Sequence, residues 1–330
     1  MKINKLIWTG ILSFAVLFNA VAKDAIHQNE VYDIYLTYTD STYPGDAVFL
    51  KMSFKENKKL KKKDKPATSA KAKIAFNDKI LFNTKFYSVP EKLSKTKNTF
   101  IAALPLSSYA KTGTYDLTVI YSYEGEPNME FTVPVEVNSK DFVEETIPLN
   151  AQNTEIKTNT SPERMSQIEK LNGILGTINE DAVYQITPFA QPTTITRRTS
   201  FFADRRTFAY SNGKSSTSLH YGIDFGCPKG THVTSCAAGK VVLAENRIST
   251  GYSAVIEHLP GLYSLYYHMD ELKVKEGDII NMGDLIGLSG ATGLATGPHL
   301  HWEIRLFMNA INPDQLCENF LFAPAAAQNK

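Results

Sequence analysis

The sequence predicts a mostly β protein whose N-terminal part is an antiparallel sandwich. Residues 31–38 alternate apolar and polar side chains and are rich in β-forming types. Residues 47–54 repeat this pattern after a Pro-Gly turn. Similar stretches follow at regular spacing and bring the total to about seven. They lie at residues 72–76, 82–87, 99–105, 113–121 and 129–137. We therefore expect an immunoglobulin-like β-sandwich over residues 23–142.

Length and composition allow two domains and indicate no strongly charged partner. The chain has 330 residues, which is long enough for two separate cores. Its net charge of +1 creates no overall field that would attract nucleic acid, so we expect no nucleic-acid partner. A lysine-rich run at residues 58–65 is interpreted as a solvated hairpin tip rather than as a contact for an anionic polymer.

The first residues have the organisation of a secretory signal peptide. Lys2 and Lys5 precede a mostly apolar run at residues 6–18, and residues 20–22 have the small-x-small form that signal peptidase recognises. The apolar run is shorter than the about 20 residues of a membrane-spanning helix, which favours cleavage. We assign residues 1–22 as a signal peptide. We expect an exported protein of the bacterial periplasm or cell envelope, without a stable membrane span after cleavage.

Three cysteines, Cys227, Cys236 and Cys317, allow two interpretations. Cys227 and Cys236 flank a turn signal and would face each other across a short hairpin, where an oxidising compartment permits a disulfide. The favoured alternative is that they are small buried thiols. The odd number leaves at least one thiol without an intrachain partner.

Residues 143–184 are interpreted as a linker that contains one helix. Residues 143–160 are polar and lack a periodic pattern. A hydroxyl at Ser161 followed by Pro162 is typical of a helix start. Apolar side chains then recur at helical spacing, at Met165, Ile168, Leu171 and Leu175. We expect a helix over residues 162–176 whose apolar stripe packs against a domain, and a second domain over residues 185–330.

A histidine pair in the second domain is the first sign of chemistry. If residues 296–305 form a strand, His299 and His301 share one face, while Leu300 and Trp302 share the other. Two imidazoles on one face of a strand would supply half of a metal site. A short motif of this kind is weak evidence on its own.

Other residues supply the second half of such a site. His220 and Asp224 are four residues apart, a spacing that places them on one face of either a helix or a strand. Their nitrogen and oxygen atoms suit zinc, and one further imidazole would complete a three-ligand shell with a fourth position for water. His268 ends the strand-like stretch 263–269, where alternation places it on the same face as Tyr266.

Together these motifs resemble the lysostaphin-type (LytM-like) zinc metallopeptidases, which cut peptidoglycan cross-links. The motifs, in family order, are His220-x-x-x-Asp224, Tyr266-x-His268 and His299-x-His301. Further runs of the family pattern stand at residues 230–233, 239–242, 274–278, 283–290, 296–303 and 312–313. The resemblance covers about residues 200–316 and is specific, because several ordered motifs coincide.

The resemblance implies a C-terminal antiparallel β-sheet metallopeptidase domain with one Zn²⁺. Peptidoglycan stem peptides and cross-bridges would be the substrate, hydrolysed by a zinc-activated water. His220, Asp224 and His301 resemble the zinc ligands. His268 and His299 resemble the unligated pair that orients or deprotonates this water and steadies the tetrahedral intermediate. Cleavage of a D,D cross-link, cleavage of another bond and removal of a terminal residue all stay open.

Two other functions are alternatives to a peptidase. A non-catalytic module of the same fold would bind the cell wall or activate a partner hydrolase, but such members usually lose ligands, and all five positions are filled here. A carrier domain is suggested by the glycine pattern of residues 274–287, but the modifiable lysine of such carriers is missing.

Other catalytic classes find little support in the sequence. The chain has no G-x-S-x-G and no H-E-x-x-H motif, which disfavours acyl-enzyme and helix-borne zinc chemistry. His232 and His258 lie on predicted strands without a nearby ligand partner. We interpret both as surface or hydrogen-bonded residues.

Overall fold

The N-terminal domain is a sandwich of two five-stranded sheets in the computed structural model, which describes residues 23–28, 32–56, 69–94, 96, 98–122, 128–318, 320 and 322. The strands are β1 (Lys23–Gln28), β2 (Tyr32–Tyr38), β3 (Ser41–Thr42), β4 (Ala47–Glu56), β5 (Ser69–Phe76), β6 (Lys79–Lys85), β7 (Tyr87–Ser88), β8 (Thr99–Pro105), β9 (Gly113–Ser122) and β10 (Met129–Val137). One sheet has the order β1-β2-β4-β8-β7 and the other β3-β10-β9-β5-β6.

The mostly β, antiparallel fold class is confirmed. On β2, Ile34, Leu36 and Tyr38 point into the sandwich and are buried, as the alternation predicted. The immunoglobulin-like topology stays a prediction. The proposed signal peptide and the lysine-rich run at residues 58–65 lie outside the described residues.

The segment after the sandwich is more regular than the sequence indicated. It contains β11 (Glu144–Pro148), α1 (Ala151–Thr158) and α2 (Pro162–Gly176). The interpretation of residues 143–160 as a patternless linker was therefore wrong. β11 pairs in parallel with β13 (Arg205–Ala209), about sixty residues further along the chain, and local periodicity does not reveal such distant pairing. The side chain of Asn150 caps α1 by accepting a hydrogen bond from the backbone N–H of Asn153 at 2.8 Å.

The helix expected over residues 162–176 is present as α2. Ser161 caps it by accepting a hydrogen bond from the Arg164 backbone N–H at 3.3 Å. Its apolar stripe packs only in part. Leu175 is buried in a small cluster against the second domain, whereas Met165 is 43% exposed, contrary to expectation. The stripe therefore anchors only the C-terminal half of the helix. In the described part of the chain, no helix is long and apolar enough to cross a membrane.

A ten-stranded sheet organises the second domain. Its strands are β12 (Arg198–Ser200), β15 (Gly222–Phe225), β16 (His232–Thr234), β17 (Gly239–Arg247), β18 (Gly251–Leu259), β19 (Leu262–Leu272), β20 (Ile279–Ile280), β21 (Leu285–Ser289), β22 (Leu300–Leu306) and β23 (Asn309–Ile311). The main order is β12-β15-β22-β19-β18-β17-β20, while β16, β21 and β23 pair at its side. A smaller sheet joins β11, β13 and β14 (Ser215–Leu219), and α3 (Pro313–Glu318) follows β23.

One continuous apolar core joins the sandwich to the second domain. The ring of Phe49, on β4, lies edge-on to Phe320 at 5.5 Å and to Phe322 at 5.4 Å between ring centroids. The buried amide of Gln315 accepts from the Ala47 backbone N–H at 2.7 Å and donates to the Ala47 carbonyl at 2.8 Å. The two domains are therefore packed as one body rather than joined by a free tether.

Candidate active site

Strand pairing brings two of the expected ligands together. In the antiparallel register of β15 and β22, Asp224 lies directly opposite His301. His220 lies in the loop just before β15, and its Nε2 is 3.0 Å from Asp224 Oδ1 and 3.0 Å from His301 Nδ1. His301 Nδ1 is 2.8 Å from Asp224 Oδ1. All three side chains are buried, so they form a compact cluster able to hold a metal ion.

A glycine makes this close approach of β15 and β22 feasible. A Cβ at Gly222 would lie 2.3 Å from the Trp302 carbonyl oxygen and 2.9 Å from His301 Nε2. Any larger residue would therefore push the two strands apart and separate Asp224 from His301.

The outer atoms of the three side chains are all held by hydrogen bonds. His220 Nδ1 donates to the Phe201 carbonyl at 2.8 Å, and His301 Nε2 donates to Glu303 Oε2 at 3.3 Å. Asp224 Oδ2 accepts from Arg206 Nη2 at 3.1 Å. Partners of this kind fix ring orientation and tautomer at metal sites.

This arrangement leaves three electron-pair donors facing one another. With their outer nitrogens protonated, His220 Nε2 and His301 Nδ1 carry lone pairs, and both face the carboxylate oxygen Asp224 Oδ1. Acceptors packed within about 3 Å of one another repel unless a proton or a metal cation lies between them. Two imidazole nitrogens and one carboxylate oxygen form a ligand set that suits zinc.

The charges of the cluster agree with a cation site. Burial alone would raise the pKa of Asp224, but His220 and His301 hold it well below its usual range. Burial lowers the pKa of His220. At His301 burial also acts to lower the pKa, yet hydrogen bonds to Asp224 and Glu303 raise it to about 9. The two carboxylates therefore attract positive charge strongly to this point.

His268 and His299 lie beside the cluster. Their ring centroids are 4.7 Å apart, and His299 Nε2 is 3.8 Å from Asp224 Oδ1. His268 Nδ1 donates to the Thr292 carbonyl and His299 Nδ1 to the Gly297 carbonyl, each at 2.8 Å. Each Nε2 is thus the lone-pair atom of its ring.

The backbone at His268 departs from the expected strand geometry. Its φ is +63°, a left-handed conformation that is rare for residues other than glycine and is often found at functional sites. This turn breaks the alternation, so the prediction that Tyr266 shares the face of His268 was wrong. Tyr266 is buried in the core, where its hydroxyl accepts from the Cys236 backbone N–H. Tyr267 faces the site instead, with its ring stacked on His301 at 5.3 Å between centroids.

The side chains that hold the ligands in place were not among the predicted site residues. The motifs place neither Arg206, Glu303 nor Tyr267 among the candidate ligands or catalytic residues. Glu303 has a signal that could have found it, because it stands two residues after His301 on the same strand face. Arg206 has no local signal, since its contact with Asp224 depends on how β13 and β14 fold back.

The remaining histidines and cysteines lie outside the site. His232 is exposed, and His258 is a core residue bonded to the Ala238 carbonyl at 2.8 Å and to Ser264 Oγ at 2.7 Å. Burial lowers the pKa of His258 to about 4. Cys227 and Cys236 are buried free thiols, which agrees with the favoured alternative to a disulfide.

Comparison with known proteins assigns a family to this region. Residues 218–313 match the family described as Peptidase family M23. A protein named uncharacterized metalloprotease from Buchnera aphidicola is 43% identical over 99 residues, which cover 30% of this chain and 26% of that protein. The peptidoglycan DD-endopeptidase ShyB of Vibrio cholerae is 42% identical over 85 residues, which cover 26% of this chain and 20% of that protein.

A solved structure resembles most of the chain. A crystal structure described as an M23 peptidase from Pseudomonas aeruginosa superimposes with a TM-score of 0.51 and 19% identity, covering 83% of this chain and 94% of that one. This likeness supports a shared fold. The matches to the two named relatives span only about a quarter or a fifth of their lengths, 26% and 20%.

Proposed function

Residues 218–313 form a peptidase family M23 domain, and we propose on this basis that the chain is an exported zinc metalloendopeptidase that hydrolyses the peptide cross-links of bacterial peptidoglycan. The observation that carries the proposal is the convergence of His220 Nε2, Asp224 Oδ1 and His301 Nδ1 on one point. The relative named as a peptidoglycan DD-endopeptidase supports the substrate class.

In this proposal His220, Asp224 and His301 hold the zinc ion. A zinc ion bound there would supply Lewis-acid polarisation of the scissile carbonyl and would lower the pKa of a bound water to about 7. The hydrogen bonds on the outer atoms of the three ligands keep their rings and carboxylate from rotating. The chain thereby presents a preorganised site rather than one assembled on binding.

His299 would transfer the proton and His268 would orient the attacking water. His299 Nε2 would accept the proton of the attacking water and then donate it to the leaving amine nitrogen. Burial, together with the neighbouring His299 and His301, lowers the pKa of His268 to about 3, so this ring is neutral at pH 7. Its Nε2 would accept a hydrogen bond from the same water and orient it.

Export is the part of the proposal that depends on the sequence alone. Peptidoglycan lies outside the cytoplasmic membrane, so an enzyme that cuts it must be exported. The signal-like residues 1–22 meet this need, and detection of the chain from Lys23 onward in a periplasmic fraction would test it.

A non-catalytic module of the same fold is the weaker alternative. All five side chains of the proposed machinery are present, and their Nε2, Nδ1 and Oδ1 atoms are oriented by specific hydrogen bonds. A module that only binds the cell wall needs no such orientation. This observation favours catalysis over binding alone.

A mass-spectrometric digest tests the proposed function. Purified chain supplied with zinc should convert cross-linked muropeptide dimers into monomers, and the fragment masses identify the bond that is cut. Excess chelator should stop the reaction and added zinc should restore it. Uncross-linked muropeptides serve as the control that detects removal of a terminal residue. Zinc-loaded chain that leaves every dimer intact would favour the binding module.

A further inference from the structure

Arg206 contacts the candidate metal ligands from outside the cluster. It lies on β13, its side chain is 13% exposed, and its Nη2 donates to Asp224 Oδ2 at 3.1 Å. The two oxygens of Asp224 therefore have different partners. Oδ1 faces His220 and His301, whereas Oδ2 faces the guanidinium group.

The chemistry of arginine suits this position. A guanidinium group is planar and permanently charged, and its N–H donors point in fixed directions. Its bond to Oδ2 limits rotation of the Asp224 carboxylate, so that a single oxygen, Oδ1, is presented to a metal. A carboxylate without such a partner could rotate or offer both oxygens.

Glu145 holds Arg206 in place from the segment that follows the sandwich. The two residues are direct neighbours in the parallel pairing of β11 with β13, and Arg206 Nε donates to Glu145 Oε1 at 2.8 Å. Arg206 thus bridges two carboxylates through different nitrogens. Glu145 also offsets the positive charge of Arg206, which would otherwise repel a divalent cation at the cluster.

We propose that Arg206 is a positioning residue that fixes Asp224 as a one-oxygen metal ligand, with Glu145 as its anchor. This inference rests on the proposed function, because it assumes a zinc ion held by Asp224. It makes zinc binding depend on Arg206 and Glu145 in addition to the five motif residues. The strand between the sandwich and the helices, β11, becomes part of the metal site.

The test is zinc affinity, measured on the full chain by competition with a chromophoric chelator. Arg206→Met should weaken zinc binding about 10-fold or more, the usual effect of losing an outer partner of a metal ligand. Arg206→Lys keeps the charge, but a compact ammonium group cannot reproduce the two guanidinium hydrogen bonds to Asp224 and Glu145. The zinc affinity of Arg206→Lys should therefore fall between those of Arg206→Met and wild type.

Arg198→Met is the matched control. Arg198 forms a similar, partly buried pair with Asp314, at 2.7 Å between Nη2 and Oδ1, and does not contact Asp224. Its zinc affinity should stay within about threefold of wild type. In excess chelator, the midpoint temperature of thermal unfolding should fall by a similar amount in Arg206→Met and Arg198→Met. This comparison separates metal positioning from general stability.

Each result decides between support and rejection. An Arg206→Met affinity within about threefold of wild type, or a loss no larger than that of Arg198→Met, overturns the inference. If Arg206→Met does not fold, Arg206→Lys decides, and an Arg206→Lys affinity equal to that of wild type overturns the inference. A wild-type chain that binds no zinc overturns the proposed function and this inference together. A wild type that binds zinc beside an unaffected Arg206→Met overturns this inference alone.

Discussion

At the scale of single residues, the site depends on which ring nitrogen each histidine turns inward. His220 presents Nε2 because its Nδ1 donates to a backbone carbonyl, whereas His301 presents Nδ1 because its Nε2 donates to Glu303. The family resemblance implied the grouping of the five residues, whereas spacing alone placed His299 with His301 and His220 with Asp224 on shared faces. Neither the resemblance nor the spacing identifies the nitrogen used, because a motif does not specify the hydrogen-bond partner of the outer nitrogen, which is the Phe201 carbonyl for His220 and Glu303 for His301.

The division of labour between the histidines predicts the effect of one substitution. His299→Ala removes the proposed proton acceptor and no proposed ligand, so turnover of muropeptide dimers should fall about 100-fold or more. His232→Ala removes an exposed histidine outside the site and should leave the initial rate unchanged. A His299→Ala rate within about threefold of wild type would contradict the proton-transfer role.

A second residue-scale prediction concerns the close approach of two strands at the site. Gly222→Ala places a methyl group 2.3 Å from the Trp302 carbonyl, so β15 and β22 must separate. Zinc affinity should then fall, because the distance between Asp224 and His301 increases. Gly213→Ala is the control, because its Cβ would meet no heavy atom within 4 Å, although its φ of +81° adds local strain. Equal zinc affinities for both variants would show that the strand approach does not matter.

At the scale of elements, α2 shows how far periodicity can be trusted. The cap and the first turn were predictable because they depend on neighbouring residues alone. The packing of the stripe was not, because the apolar contacts of the helix lie toward its C-terminal end, where Leu175 is buried, whereas its first half contacts the second domain through the polar groups of Arg164 and Gln167. The strand β11 was missed for the related reason that its partner lies far along the chain.

The helix provides a matched pair of substitutions. Leu175→Ala should lower the free energy of unfolding by about 2–3 kcal/mol, because a buried leucine leaves a cavity when truncated. Met165→Ala, ten positions earlier on the same helix and 43% exposed, should change it by no more than about 0.5 kcal/mol. Denaturant unfolding measures both values. Equal effects would mean that Leu175 does not anchor α2.

At the scale of the whole molecule, the sandwich and the M23 domain share a core. This packing could not be predicted from the sequence, because an apolar pattern predicts that a residue is buried but not whether it is buried within its own domain or against the other one. Phe49 contacts Phe320 and Phe322 across the junction. The described contacts make the sandwich a fixed part of the molecule, so we expect the domains to unfold together.

Tryptophan fluorescence can test this coupling. The sequence has two tryptophans, Trp8 and Trp302, so in a chain that starts at Lys23 the emission reports on β22 alone. Phe49→Ala, in the sandwich, should lower the free energy measured by this emission by about 3–5 kcal/mol. Ile80→Ala, which is 54% exposed, should not. If Phe49→Ala alters circular dichroism but leaves the Trp302 transition unmoved, the domains unfold independently.

The zinc content of purified variants tests most directly whether three side chains hold zinc while the two neighbouring histidines do not. Wild type and His299→Ala should each carry about one zinc per chain, as a three-ligand site predicts. His301→Ala should lose the metal, because only two ligands, His220 and Asp224, remain. Full zinc in His301→Ala, or its loss in His299→Ala, would contradict this assignment.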